Sequence, residues 1–246
     1  MPTAIFEQPH VKGRSATVRA TDRPHDQWEW LLAGLALAFA LPYLLTDLVT
    51  INRDLYYGIY ALSVFGFFAL WLRFAVETPR ALLTRNWRWG ALLGVVFAGA
   101  TAAIALTETA TVHPHGWRFA GAIVWRGIVY GAADGVLLSV FPILAVVAAF
   151  SARPLRERSK RAVVGIGALA LVVSLLFTAV YHLGYPDFRG EKVRKPLIGD
   201  VVWSAPTLAT FSPIGAPLAH IGLHVSAVVH AYNTDTFLPP HPNATP

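Results

Sequence analysis

Two histidines, His220 and His224, stand four residues apart in an apolar run, 215–232, that otherwise reads as a membrane span. Residues i and i+4 share one helix face, so both imidazoles point the same way. Ionisable side chains at membrane depth are costly and face a partner or a water-filled cavity. With a third histidine and a carboxylate, the pair suits zinc and leaves one position for water. A metal held there lowers the pKa of that water and polarises a carbonyl. His182, ending the preceding span, is the candidate third histidine, and Glu108, after the third span, is the candidate carboxylate. Hydrogen bonds between packed helices are the rival use of such imidazoles. A helix-end cap is the rival for His182. The chain has no cysteine, so thiolate zinc sites and cysteine nucleophiles are excluded.

Arg126 and Asp134 both lie inside the fourth apolar run, eight residues apart and near enough in phase to share a broad face with Tyr130. Arg126 either ties helices together or orients a substrate carbonyl or a catalytic carboxylate. Asp134 is then a candidate partner for that arginine. His113 and His115 fall in the loop after the third span. His230, at the far end of the last span, is expected to snorkel to the interface.

The elements that must position these groups are helices in a bilayer. Of 246 residues, 55% are hydrophobic and only 14% charged, which is the composition of a polytopic membrane protein. A hydrocarbon core of about 30 Å needs roughly 20 apolar residues per helix. Runs of that kind cover 30–49, 57–76, 89–106, 119–150, 163–182 and 215–232. The stretch 197–214 carries Pro206 and Pro213, and reads as a re-entrant or broken helix or as a seventh span. The expected fold is therefore an all-α polytopic transmembrane bundle of about six to seven spans. Residues 1–29 form a polar cytoplasmic tail, 30–232 the transmembrane domain, and 233–246, with four prolines, a flexible extended tail.

The net charge of +6 comes from short basic loops between apolar runs, an orientation signal and not a nucleic-acid footprint. Those loops place the amino terminus in the cytoplasm of a multi-pass cell-membrane protein. The loop with Arg189, Lys192, Arg194 and Lys195 breaks the alternation. If the last span starts on the outer side, His220 and His224 lie roughly 8–14 Å deep. Arg126 is then at similar depth and His182 just above, so these groups are expected to converge.

The run Ser212-Pro-Ile-Gly-Ala-Pro-Leu-Ala-His220 resembles the last motif segment of the CAAX protease and bacteriocin-processing (CPBP) family of intramembrane proteases. The run from Leu176 to Leu183 is similar to that family's Phe-x-x-x-His segment, with His182 as its histidine. Trp125-Arg126-Gly127 looks like the end of its Glu-Glu-x-x-x-Arg motif. The paired glutamates would fall at Gly121 and Ala122 and are absent, Thr178 replaces the motif phenylalanine, and His224 replaces the closing Asn or Asp. The resemblance implies a membrane-embedded, metal-dependent hydrolase with a degenerate site, active or inactive. Arg126, His182, His220 and His224 would carry its chemistry. Without the glutamate base, a factor of roughly 10²–10⁴ in rate is lost. Two other readings remain open. One is a non-catalytic scaffold or partner of a membrane protein or peptide. The other is a subunit whose histidines ligate haem or a metal.

Overall fold

The computed structural model describes residues 24–76, 78–150, 157–233 and 237–239. All regular structure among them is helical: α1 (Pro24–Pro42), α2 (Arg53–Ala75), α3 (Pro79–Leu83), α4 (Trp87–Ala105), α5 (Gly116–Ala122), α6 (Tyr130–Asp134), α7 (Phe141–Ala149), α8 (Lys160–Leu183), α9 (Arg194–Thr210) and α10 (Gly215–His230). π-helical turns at Ile123–Val129 and Gly135–Val140 join α5, α6 and α7 into one continuous helix. Capping chemistry sets several starts. The Asn52 side chain accepts from the Leu55 amide and Ser159 from the Ala162 amide.

Five helices are long and apolar enough to cross a bilayer. The composite Gly116–Ala149 helix differs from the others: 89% of its apolar window is buried, against 22–39% for the rest. It is the axis of the bundle. The other spans turn residues such as Leu32, Leu62, Phe74, Val95, Val164 and Val172 outward, the lipid-facing counterpart of that core.

Glycine stripes fix where α10 lies. Gly127, Gly131 and Gly135, one turn apart on the composite helix, face Val225, Ile221 and Pro217 so closely that an added Cβ would sit 2.5–3.0 Å from them. The pairing order shows that the two helices run antiparallel. On the opposite side, Gly94 of α4 meets Leu218, and Gly222 of α10 meets Ala98, so α4 and α10 run parallel. Small residues let membrane helices approach closely. Here they clamp the histidine-bearing helix between two neighbours.

Segment 197–214 is settled by its neighbours. Helix α9 starts near the end of α8 and descends to the start of α4, where the Asn86 amide donates to the Thr210 carbonyl. Phe211, in the left-handed region at φ 50°, turns the chain into α10. Thus α9 is a full traverse of the bundle, though its 17 residues include Pro206. The condition that the last span starts on the same side as His182 is not met. Gly215 lies at the Asn86 end of the bundle, opposite His182, because α10 runs parallel to α4.

Candidate functional site

Helix α10 presents His220 and His224 on one face, as their spacing requires, with ring centroids 6.3 Å apart. The composite helix brings Asp134 to them, since Gly131 allows contact with His220 and His224 themselves. Among the described residues, Asp134, His220 and His224 form a group able to hold a metal ion, with ligand atoms all within 4.8 Å of one another. All three are buried.

Hydrogen bonds assign the free nitrogens. A carbonyl only accepts, so His224 Nδ1–H donates to the Phe237 carbonyl at 2.8 Å. The neutral ring then turns the lone pair of Nε2 toward Asp134 Oδ2, 3.2 Å away. Two acceptors face each other across that edge, so a proton or a cation must lie between them. The other carboxylate oxygen, Oδ1, accepts from the Tyr60 hydroxyl at 2.7 Å. His220 Nε2 lies 3.4 Å from Ser139 Oγ, while its Nδ1 is buried without a partner. Donor atoms about 2.0–2.1 Å from one tetrahedral zinc are roughly 3.3 Å apart, which matches the Asp134–His224 edge. The set fits a borderline divalent ion.

These groups form the floor of a cavity of about 320 Å³. Ile104, Leu138, Ile198, Val202 and Leu223 give it apolar walls, and Glu108 and Lys195 also line it. Ile104 and Ile198 are exposed, at the ends of α4 and α9 remote from the Asn86–Thr210 contact. The cavity therefore opens between those two helix ends. Phe237 and Pro239, within the terminal stretch expected to be a flexible tail, also line it, and Leu238 beside them is fully buried.

His182 lines the same cavity but lies outside the Asp134 group. Its Nδ1–H donates to the Thr178 carbonyl at 2.7 Å, leaving Nε2 as the acceptor nitrogen. Glu108 likewise lines the cavity without joining the group, and its carbonyl accepts from His230 Nε2 at 2.9 Å. Arg126 stands apart: its Nε and Nη2 donate to the two carboxylate oxygens of Asp54 of α2 at 2.7–2.8 Å, and it lies over the Tyr232 ring. Arg126, Tyr130 and Asp134 do share the side of the composite helix that faces α2, where they meet Asp54, Tyr57 and Tyr60, but Arg126 lies two turns away from the Asp134 group. His113 packs on Phe119 and His115, away from the cavity.

Sequence reasoning took Asp134 for a partner of Arg126 and passed over the tyrosines and Asp200. The hydroxyls of Tyr56, Tyr185, Tyr181 and Tyr130 form a buried chain with links of 2.6–2.7 Å, ending at a residue of the cavity wall. Their signal was polar tips clustered in apolar runs, at Tyr56, Tyr57 and Tyr60 and again at Tyr181 and Tyr185.

No protein-family model, no curated protein and no solved structure matches this chain. Its own geometry carries the functional reading: it is a membrane-like helical protein with a His/Asp group that could bind metal.

Proposed function

We propose that the protein is a membrane-embedded hydrolase working with a divalent metal, zinc foremost, held by Asp134, His220 and His224. The observation that carries this reading is the hydrogen-bonding state of the two imidazoles. His224 is locked with Nε2 toward a carboxylate oxygen, and His220, one turn away on the same face, keeps a buried nitrogen without a hydrogen-bond partner. Three protein ligands beside a cavity is the open form typical of catalytic zinc. When bound, the metal supplies a Lewis acid and a water of lowered pKa.

The chain's own residues do the rest. Tyr60 and the Phe237 carbonyl orient Asp134 and His224, as outer hydrogen bonds orient metal ligands generally. His182 offers a base at the cavity wall through Nε2, taking a proton from the attacking water and returning it to the leaving group. The apolar walls admit a hydrophobic segment and exclude bulk water. The CPBP resemblance of the His220 segment agrees with this assignment, with Asp134 supplying a carboxylate that the missing glutamates do not. Arg126 has no part in it.

Protein purified in detergent without chelators is expected to carry about one zinc per chain and to cleave a quenched hydrophobic peptide in micelles. Asp134→Asn and His224→Ala should each lose the metal and the cleavage together. A metal-free wild type that cannot be reloaded, or cleavage that survives both substitutions, overturns the proposal.

A further inference from the structure

The two ends of the bundle treat their arginines differently. At the end that carries His182, carboxylates of the chain engage them: Asp54 holds Arg126, Asp47 holds Arg189 and Glu191 holds Arg194. At the opposite end Asn86 meets Thr210. There, among the described residues, no ion pair or hydrogen bond reaches the guanidinium of Arg80, Arg85 or Arg88. These three arginines fall in one stretch, 80–88, that forms the corner between α3 and α4.

Local sequence builds this corner. Pro79 opens α3 with its φ already set for a first helical turn, and Leu82 packs against the main core. Asn86 takes the left-handed conformation, φ 46°, that asparagine tolerates. Its side-chain amide donates to the Thr210 carbonyl at 2.7 Å. That bond draws the corner against the turn between α9 and α10, where Arg85 Cζ lies 5.7 Å from the centre of the Phe211 ring. Arg85 is half-buried there, and burial with no acid beside it lowers its pKa. A guanidinium ordered on a ring and left without a carboxylate is ready for an anion from outside the chain.

The surroundings say which anion. Trp87 and Trp89, at the start of the membrane-length helix α4, are exposed, and so is Leu83 just before them. Tryptophan collects at the headgroup level of a bilayer, so Arg85 and Arg88 stand at the depth of lipid phosphates. Arg88 Cζ lies 5.5 Å from the centre of the Trp87 ring. The guanidinium fork matches phosphate oxygens, and the exposed Leu83, Trp87 and Trp89 give adjoining acyl chains an apolar surface. At the other end Arg118 lies over the exposed Trp117 ring in the same way, but no second arginine occurs between Leu106 and Trp125.

We propose that Arg80, Arg85 and Arg88, with Trp87 and Trp89, bind the headgroup of an anionic phospholipid at the α3–α4 corner. The site shares no residue with the Asp134 group and stands independently of the metal-dependent reading. A lipid phosphate there braces the Phe211 turn from which α10 departs.

The test titrates the full chain in neutral detergent with phosphatidylglycerol or phosphatidylcholine and counts bound lipids by native mass spectrometry. Phosphatidylglycerol should bind saturably and about tenfold more tightly than phosphatidylcholine. Arg85→Gln should weaken the first phosphatidylglycerol about fivefold, and a combined Arg80→Gln and Arg88→Gln chain by at least as much. Arg118→Gln should leave the affinity unchanged, and inorganic phosphate should not displace the lipid. Equal binding of the two lipids overturns the site and leaves the corner to an acidic protein partner. An equal loss in Arg118→Gln also overturns it, because a diffuse surface charge would then account for the binding. Displacement by inorganic phosphate reduces the corner to a plain anion site and overturns the lipid reading. If Arg85→Gln does not fold, the Arg80→Gln and Arg88→Gln chain decides, since both side chains are exposed. Zinc is not read in this titration, so the failure of either proposal leaves the other standing.

Discussion

Asp134 and Asp200 are both carboxylates buried at membrane depth in one bundle, and their surroundings differ in kind. Asp134 meets imidazole nitrogen and a phenol, and Asp200 meets serine hydroxyls. Burial alone therefore does not give a carboxylate its role. Nitrogen with one carboxylate oxygen suits a borderline transition metal, and hydroxyl donors satisfy the second carboxylate by hydrogen bonds alone. The access also differs. Asp134 lies on a cavity that opens between the ends of α4 and α9, and Asp200 does not line that cavity. An open centre suits chemistry on a substrate, and an enclosed hydrogen-bonded one suits holding helices together.

That contrast can be broken. Deleting residues from 234 onward removes the Phe237 carbonyl that fixes His224 Nδ1–H. Loss of such an outer hydrogen bond should weaken zinc binding about 10–100-fold, measured by competition with a chromophoric chelator. A truncated chain with wild-type zinc affinity would show that the tail does not orient the ligand.

A Gly135→Ala substitution tests whether the two centres share their mechanical support. The added Cβ would lie 2.5 Å from Pro217 Cα, a backbone atom that cannot swing aside. Overpacking of this kind should cost about 1–3 kcal/mol, read from denaturant or thermal unfolding. It should weaken zinc binding too, because α10 must shift. Unchanged stability would mean that the stripe is looser than its contacts imply.

The smallest effect is expected at Arg126. Its ion pair with Asp54 is at the periphery, with the Asp54 side chain 53% exposed. Arg126→Ala should cost at most about 1 kcal/mol, with zinc content unaltered. A loss of zinc in this variant would bring the arginine back into the site and undo the separation drawn here.

Much of this molecule is legible in the sequence because it depends on neighbours along the chain. The long apolar runs make membrane-length helices whatever they pack against, and the i, i+4 spacing puts His220 and His224 on one face of any helix. The absence of cysteine confines any metal ligand or nucleophile to His, Asp, Glu, Ser, Thr, Tyr or Lys. Partner choice was not legible. Glu108 and Asp134 were equally available as carboxylates by composition. The Gly127, Gly131 and Gly135 stripe decides between them by drawing Asp134 against α10. Arg126 was lost to the site because Asp54, some seventy residues away in sequence, holds it at the periphery. The direction of α10 depended on whether α9 crosses or returns, and the Asn86–Thr210 contact settles that. Local periodicity thus determines which residues share a helix face. The close approach of helices, set by small residues and π turns far apart in the chain, decides which faces meet.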